Sequence, residues 1–475
     1  MRCFFIFLFL SAAAGAQTYN YYFGNLHAHT AFSDGNKDSV SSGVGRPDGS
    51  YAYAKLTDNF DFLGISEHNH YSTNHNPGFK QPLYQVGLNM ANAANQDGSF
   101  LALYGMEYGV SSQYNGHIII YGFNHLLGWE TTVPGVNGNN YDVFNAKTDY
   151  DGVFKKIKNH SNAFGYLAHP DFDDYTTDGT YGTALSNSPY NAAYDSAIVG
   201  MPLRSGVANS ANTHYTDYSS GNYFAYYKRL LFLGYHLGIG YDHDNHYTNF
   251  GRSNGGRLVI LAPSLTKANL FKAMKQMNFY GSDDPNARID FNMDGTIMGS
   301  IVSSANYPTF HVIHNDPDGE QADTIKIWKG YKNSGGLWAS IAHMSIGNNT
   351  TTFTDMNVKS GIEYYYFAEL RQTDGNWIVT SPIWYTGLAP VAMKENTNKI
   401  FFTCFPDPVS KTLNLTFDKK DNYFISLSDI SGKRIFQEEI FATDYSIDLA
   451  EFQKGLYILT LKNKEVSISK RVILE

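Results

Sequence analysis

The sequence predicts an α/β region with mainly parallel strands, followed by two all-β units. Three observations carry this expectation. Between about residues 17 and 285, short apolar runs alternate with segments of helical period. From 286 to 387 the helical period gives way to period-two alternation broken by turn signals, the pattern of a β-sandwich. A polar stretch at 388–399 reads as a linker, and short strand-like runs resume over 400–475.

The elements follow in order. Residues 1–16 read as an export signal: Arg2 supplies the positive start, Phe4 to Leu10 the apolar run, and Ala14-x-Ala16 the cleavage pattern before Gln17. The apolar run is too short to span a bilayer. Buried-strand patterns come at Asp61–Ser66, Phe100–Tyr104, His117–Tyr121, Phe164–Ala168 and Leu237–Tyr241. Tyr150 to His160 carries Val153, Phe154 and Ile157 at helical spacing, and Leu265 to Met277 repeats the theme after Ser264, a cap candidate. In the sandwich region, Thr324–Trp328 and Tyr364–Leu370 are strand-like, while Asp316-Pro317-Asp318-Gly319 and Asp374-Gly375-Asn376 are turns.

Composition narrows the function. Apolar residues make up 43% of the 475 positions, enough for a sizeable core, while charged residues are only 17%. The net charge of −9 comes without a basic stripe, which makes nucleic acid a poor partner. Of the two cysteines, Cys3 leaves with the signal and Cys404 stands alone, so neither a disulfide framework nor a cysteine-pair metal site is available.

The histidines and carboxylates of the first region are placed with a pattern. Each cluster stands just after a predicted strand: His27-x-His29 with Asp34, then His68, then Glu107 with His117, then His169, then Asp244-x-His246. In a barrel of parallel strands the C-terminal strand ends converge on the active face. Residues i and i+2 of a strand point to one side, so each x-spaced pair can present two ligands to one place. Imidazole and carboxylate suit Zn, Mn or Fe, and nine such groups exceed the needs of one ion. Two or three divalent ions would use them, with a carboxylate as bridge. A single histidine beside an apolar strand is usually a core or surface residue, and the ordered series is what raises the joint reading. His75, His125, His160, His214, His236, His311, His314 and His343 have no such context and read as structural or surface residues.

Asn25-Leu26-His27-Ala28-His29-Thr30-Ala31-Phe32-Ser33-Asp34-Gly35 resembles the first motif of the PHP (polymerase and histidinol phosphatase) superfamily, and Asp61 to Asn69 resembles the second. Glu107 with His117 is similar to the third, Ala168-His169-Pro170 to the fourth, and Asp244-Asn245-His246 to the closing D-x-H. The stretch from Asn249-Phe250-Gly251-Arg252 through Ala273-Met274-Lys275 resembles the CehA/McbA-like branch, in which a β-domain follows the barrel. The resemblance covers roughly 18–385. It implies a distorted (β/α)7 barrel with up to three metals: His27, His29, Glu107 and Asp244 on one, Glu107 bridging to a second held by His117 and His169, and Asp34, His68 and His246 on the third. Glu67 stands where the family has Asp, and is expected to orient His68. Within Tyr241 to His246, Asp242 or His243 could replace a ligand if the register slips, but only Asp244 and His246 have D-x-H spacing.

At the other end, Phe405-Pro406-Asp407-Pro408, Asp429-Ile430-Ser431-Gly432-Lys433 and Gly455-Leu456-Tyr457 resemble a type A sorting domain of the type IX secretion system. That implies periplasmic transit, release to the outer surface or exterior, and the secretion machinery as a partner. The expected chemistry is hydrolysis by a metal-bound hydroxide. A phosphoester, glycan-linked or not, is the first expectation for substrate. A carboxylic ester or amide cleaved at the same site is the alternative, and a non-catalytic metal- or glycan-binding protein is a third. There is no G-x-S-x-G elbow for a serine mechanism. Candidates for proton transfer or substrate contact outside the ligand set are His70, Asp171, His243 and Arg252, the last through its planar fork.

Overall fold

The computed structural model describes residues 19–71, 79–110, 114–206, 210–213, 223–335, 337–388, 402–407, 411–464 and 467–474. The expected signal, linker positions 389–399, His75 and His214 lie outside these residues. The chain forms two compact units, Met1–Ala389 and Pro390–Glu475.

A fifteen-stranded mixed sheet organises the first unit. Its α/β half runs in the order Phe279–Ser282, Arg257–Ala262, Asn20–Asn25, Phe62–His68, Leu101–Tyr108, His117–Tyr121, Phe164–Ala168, Ile198–Pro202, Gly238–Gly240. Parallel pairing joins Asn20–Asn25 to Phe62–His68 to Leu101–Tyr108, and again Phe164–Ala168 to Ile198–Pro202 to Gly238–Gly240. The strand His117–Tyr121 is antiparallel to both its neighbours, and Arg257–Ala262 is antiparallel to Asn20–Asn25. The sheet is therefore less parallel than the sequence pattern suggests. The loop 109–116 is too short for the crossover that a parallel partner needs, so the chain turns straight back.

Every residue of Leu101–Tyr108 and of His117–Tyr121 is buried, because both faces of the sheet are covered. Alternate residues of one strand serve different cores: Leu63 and Ile65 join one, while Phe62 packs with Leu103, Ile119 and Phe279 in another. The sheet also curls. Gly281 sits so close to Gly240 that a Cβ there would stand 2.2 Å from the Gly240 carbonyl oxygen, which only glycine permits.

Helices pack beside the sheet. Tyr150–Asn159 buries Val153, Phe154 and Ile157, and Asp149 caps it by accepting from the Gly152 N–H. In Lys267–Lys275 the cap is Thr266, not Ser264; the Ser264 hydroxyl instead accepts from the Asn269 side chain.

The β-rich region continues the same sheet. Phe279–Ser282 pairs with Trp377–Thr380, and that strand leads to Glu363–Gln372, Ile383–Gly387 and Ala322–Tyr331. A second sheet, built on Arg288–Met293, Thr309–Asn315 and Thr350–Thr354, shares with it a core of Phe291, Phe310, Ile325, Ile327 and Tyr366. Phe224, from the helix Phe224–Leu233, packs edge-on against Trp328, Phe367 and Trp377. The Glu369 carboxylate accepts from both indoles, Trp328 at 2.7 Å and Trp377 at 3.1 Å.

His236 ties the two regions together. Its Nδ1 lies 3.0 Å from Asp195 and its Nε2 lies 3.1 Å from Glu363. Burial alone would lower this imidazole, but the hydrogen bonds to Asp195 and Glu363 raise it to about 9. A raised folded pKa stabilises fully below the unfolded value near ~6.5 and is lost as pH climbs through the folded value. The substitution His236→Gln should cost about 1–2 kcal/mol at pH 6 and clearly less at pH 9.5 in urea unfolding. An equal loss at both pH values would exclude the ionic role.

The second unit is a curled, all-antiparallel sheet of Phe402–Asp407, Thr412–Asp429, Arg434–Asp448, Gly455–Lys462 and Ser467–Leu474. Leu413, Leu415, Ile425, Leu427, Leu459 and Leu461 form its core. The Asp429-Ile-Ser-Gly-Lys motif is a turn: Asp429 Oδ1 accepts from the Ser431 and Lys433 N–H groups, and Gly432 takes the left-handed conformation, φ 82°.

Candidate metal centre

One end of the α/β sheet gathers all nine of the residues expected as ligands. His27 and His29 follow the strand Asn20–Asn25, and Ala28 between them bridges in parallel to Asn245. His68 ends its strand and Glu107 is the penultimate residue of the next. His117 opens its strand instead of following one, and reaches the same end because that strand is antiparallel. His169 follows Phe164–Ala168, and Asp244 and His246 follow Gly238–Gly240.

Glu107 is the centre of the cluster. Its Oε1 lies 3.3 Å from His27 Nε2, 2.7 Å from His117 Nδ1 and 3.0 Å from His169 Nε2. Its Oε2 lies 3.3 Å from His29 Nε2 and 3.1 Å from His68 Nδ1. Asp244 Oδ1 stands 3.1 Å from His27 Nε2 and 3.2 Å from His29 Nε2. Asp34 Oδ1 faces His246 Nε2 at 3.2 Å and His68 Nε2 at 3.6 Å.

These separations test whether cations fit. Donors that share one ion at about 2.1 Å sit roughly 3.0–3.4 Å apart. Yet His27 Nε2, His29 Nε2, His68 Nδ1, His117 Nε2, Glu107 Oε2 and Asp34 Oδ1 are buried without a hydrogen-bond partner. Buried polar atoms that approach one another but do not hydrogen-bond have their lone pairs aimed at a common point. The donor set and spacing fit divalent ions. Within the cluster, four sets of side chains bring their ligand atoms within 4.8 Å of one another: His29 with Asp34, His68 and His246; His27 with His169 and Asp244; His27 with His29 and Glu107; and His68 with Glu107 and His117. The sets overlap: His27, His29, His68 and Glu107 each belong to two, His169 stands with His27 and Asp244, and His117 with His68 and Glu107. His117 and His169 both reach Glu107 Oε1, the contact expected of a shared second ion.

The electrostatics agree with a cation site. Burial alone would raise Glu107, but His117, His27 and His68 hold it well below the usual carboxylate range. Burial alone would lower His29, but Asp244 and Glu107 raise it to about 10. Asp244 is likewise lowered against its burial, by His27 and His246. His169 and Asp244 hold left-handed backbone, φ 29° and 50°, a strained conformation for residues other than glycine that the surrounding contacts maintain.

Buried polar side chains aim the ligands. Asp242 Oδ2 lies 3.2 Å from His27 Nδ1, so the ring nitrogen on that side donates and Nε2 is left for the cluster. His246 Nδ1 faces the Asp244 carbonyl at 2.9 Å, which frees Nε2 toward Asp34. Glu67 does not orient His68. Its carboxylate accepts from the Thr30 N–H at 3.1 Å and from the Thr30 and Ser33 hydroxyls, and so braces the loop that carries His29 and Asp34. The longer Glu side chain spans to that loop, and burial raises its pKa. Asn25 went unnoticed in the sequence: its amide oxygen accepts from the His27 N–H at 3.1 Å and the His243 N–H at 3.0 Å, joining the first and last motifs. The signal for it was an amide two residues before His27 at a buried strand end.

The four candidates outside the ligand set divide. His70 stacks on Trp129 with ring centroids 5.7 Å apart, and lies 5.7 Å from the His68 ring. Burial, then His117, lower it to about 4. Asp171 is exposed on the turn after His169, its Oδ1 accepting from the Phe172 N–H at 2.6 Å. His243 is turned elsewhere: Nε2 faces the Gly256 carbonyl at 2.5 Å, the ring lies beside Phe60, and burial and Arg257 lower it to about 3. Arg252 is also directed away, donating to Thr57 and Leu56 and lying over the Tyr53 ring. Their partners, the Gly256 carbonyl for His243 and Thr57, Leu56 and Tyr53 for Arg252, hold both side chains away from the cluster.

Residues 403–475 match the secretion system C-terminal sorting domain family. The chain is thus exported by the type IX system to the cell surface or exterior. No curated protein matches the chain. Among solved structures, the Clostridium thermocellum CbhA fibronectin(III)-like modules are similar at 10% identity over 39% of this chain and 94% of that one, with a TM-score of 0.15. The chicken CNTN1 FN1–FN3 domains are similar at 9% identity over 37% and 62%, with a TM-score of 0.17. Scores this low carry no argument about the site. Among the described residues, no helix is long and apolar enough to cross a membrane.

Proposed function

We propose that the chain is an exported metal-dependent hydrolase of the PHP type, in its CehA/McbA-like branch, acting on phosphoesters at a two- or three-metal centre. In this reading the curled α/β sheet is the distorted barrel of that superfamily, and Zn, Mn or Fe occupies the centre. The observation that carries the proposal is Glu107, one buried carboxylate within 3.3 Å of five imidazoles, those of His27, His29, His68, His117 and His169. A carboxylate so surrounded has the environment of a bridging ligand, and its position among ordered motifs favours catalysis over a structural ion.

Bound at this cluster, divalent ions supply acidification of water and screening of phosphate oxygens. The chain's own residues do the rest. Asp242 and the Asp244 carbonyl fix which nitrogen of His27 and of His246 faces the centre. His70, held neutral beside His68 and stacked on Trp129, can hydrogen-bond an incoming water or a substrate hydroxyl through its ring. Asp171, on the rim, would meet the substrate beyond the bond that breaks.

Metal analysis of the purified protein, followed by assays on p-nitrophenyl phosphate, bis-p-nitrophenyl phosphate and p-nitrophenyl acetate with Mn or Zn restored, tests the reading. At least two bound ions per chain and turnover of a phosphate ester are expected. Turnover of the acetate alone would move the chemistry to a carbonyl carbon. Bound metal with no turnover on any of the three would leave a binding protein.

A further inference from the structure

A second cleft lies at the opposite end of the sheet. Gly122 follows the strand His117–Tyr121, and Asn162 precedes Phe164–Ala168. Both strands have their other ends at the metal centre, so these residues stand a full strand length from it. The cleft is about 600 Å³ and is lined by Asn124, Asn162, Lys267, Phe271, Lys272 and Lys275 among others. A cavity of about 380 Å³ adjoins it, sharing Asn124, Lys267 and Phe271. No acidic side chain lines either space among the described residues. Lys267 donates to Asn92 at 3.0 Å and feels the Asp97 carboxylate from outside the cleft, and Lys275 donates to the Ser161 carbonyl. In a chain of net charge −9, three lysines thus line one recess that holds no carboxylate.

The lysines spread along one helix. Lys267, Lys272 and Lys275 span eight residues of rise, about 12 Å. That spacing matches charges distributed along a short polymer better than a single compact anion. Lysine serves carboxylates as a point charge. The Asn124 and Asn162 amides can both donate to and accept from hydroxyls. The half-buried Phe271 ring offers an apolar face to a pyranose. Export to the cell surface or exterior places the cleft where anionic glycans occur.

We propose that this cleft binds a uronate-bearing oligosaccharide, tethering the exported protein to carboxylated glycan independently of the metal centre. The test is calorimetric titration of the full chain with trigalacturonate, with maltotriose and inorganic phosphate as comparators. Saturable binding of trigalacturonate alone is expected, weakened at least tenfold between 50 and 500 mM NaCl as screening grows. Lys272→Ala/Lys275→Ala should weaken it at least tenfold and Asn124→Ala about fivefold. Lys419→Ala/Lys420→Ala, which removes equal charge from the sorting unit, should change nothing. All of these replace exposed side chains, so folding is not at stake. The proposal fails if binding is absent, if maltotriose or phosphate binds as well, if the two lysine pairs lose affinity equally, or if Asn124→Ala has no effect. Because no metal enters this measurement, its failure is separable from failure of the hydrolase reading.

Discussion

Glu107→Gln is expected to reduce turnover at least ~10³-fold and to lower the metal content of the purified protein, with the fold retained. The replacement keeps the volume of a fully buried side chain, so the packing around Leu101–Tyr108 is preserved. It removes the one negative charge that sits among five imidazoles, and it turns an N–H₂ group toward nitrogens that must present lone pairs. Both changes oppose a cation. Elemental analysis and far-ultraviolet circular dichroism on the same sample read the outcome. A variant with full metal content and more than a tenth of the activity would remove Glu107 from the centre, and the proposed function with it.

The second large effect concerns metal removal. Chelation should lower the melting temperature of the protein by on the order of 5–10 °C, and re-addition of Mn or Zn should restore it. A ligand that binds only the folded state stabilises by about 4 kcal/mol at a thousand times its dissociation constant. For a large unit each kcal/mol moves the midpoint by roughly 2 °C. The geometry makes the effect specific, because His27, His29 and Glu107 are almost wholly shielded from water and His27 Nε2, His29 Nε2 and Glu107 Oε2 have no hydrogen-bond partner in the protein. Acid should have the same effect as the chelator, since imidazole and carboxylate ligands bind only when deprotonated. Calorimetry at pH 7.5 and pH 5, with and without chelator, checks both. A midpoint that chelation leaves unmoved at pH 7.5 would mean that no ion contributes to the folded state.

Much of the candidate site was legible because its motifs are local. The pairs His27 with His29 and Asp244 with His246 are visible as two-residue spacings in the sequence, and His68 and His169 stand at the ends of apolar runs that form strands. The runs His117–Tyr121 and Phe164–Ala168 are strands over the residues the pattern suggested, because uninterrupted apolar runs suit a sheet covered on both faces. The sorting unit was legible for a similar reason, its turn motif at Asp429 to Lys433 being a contact among neighbours in sequence.

The roles of neighbouring residues were not legible. Periodicity says that His243 and Asp244 point opposite ways, but not which faces the metal, and both Asp242 and Glu67 changed role once partners from distant segments were in place. Glu67 reaches Thr30 and Ser33, and Asp242 reaches His27, across gaps of 34 to 215 positions. Likewise no local signal in Phe279–Ser282 reveals that it pairs with Trp377–Thr380 and carries one sheet into the β-rich region. The sequence by itself determined which side chains are available as ligands and at which strand ends they stand, because that depends on a repeat of two residues. Which of them stand close enough to hold one ion, which carboxylates brace them, and the existence of a basic cleft at the far end were decided by the tertiary structure. These depend on where separate strands come to lie beside one another, and that is set by packing over the whole sheet.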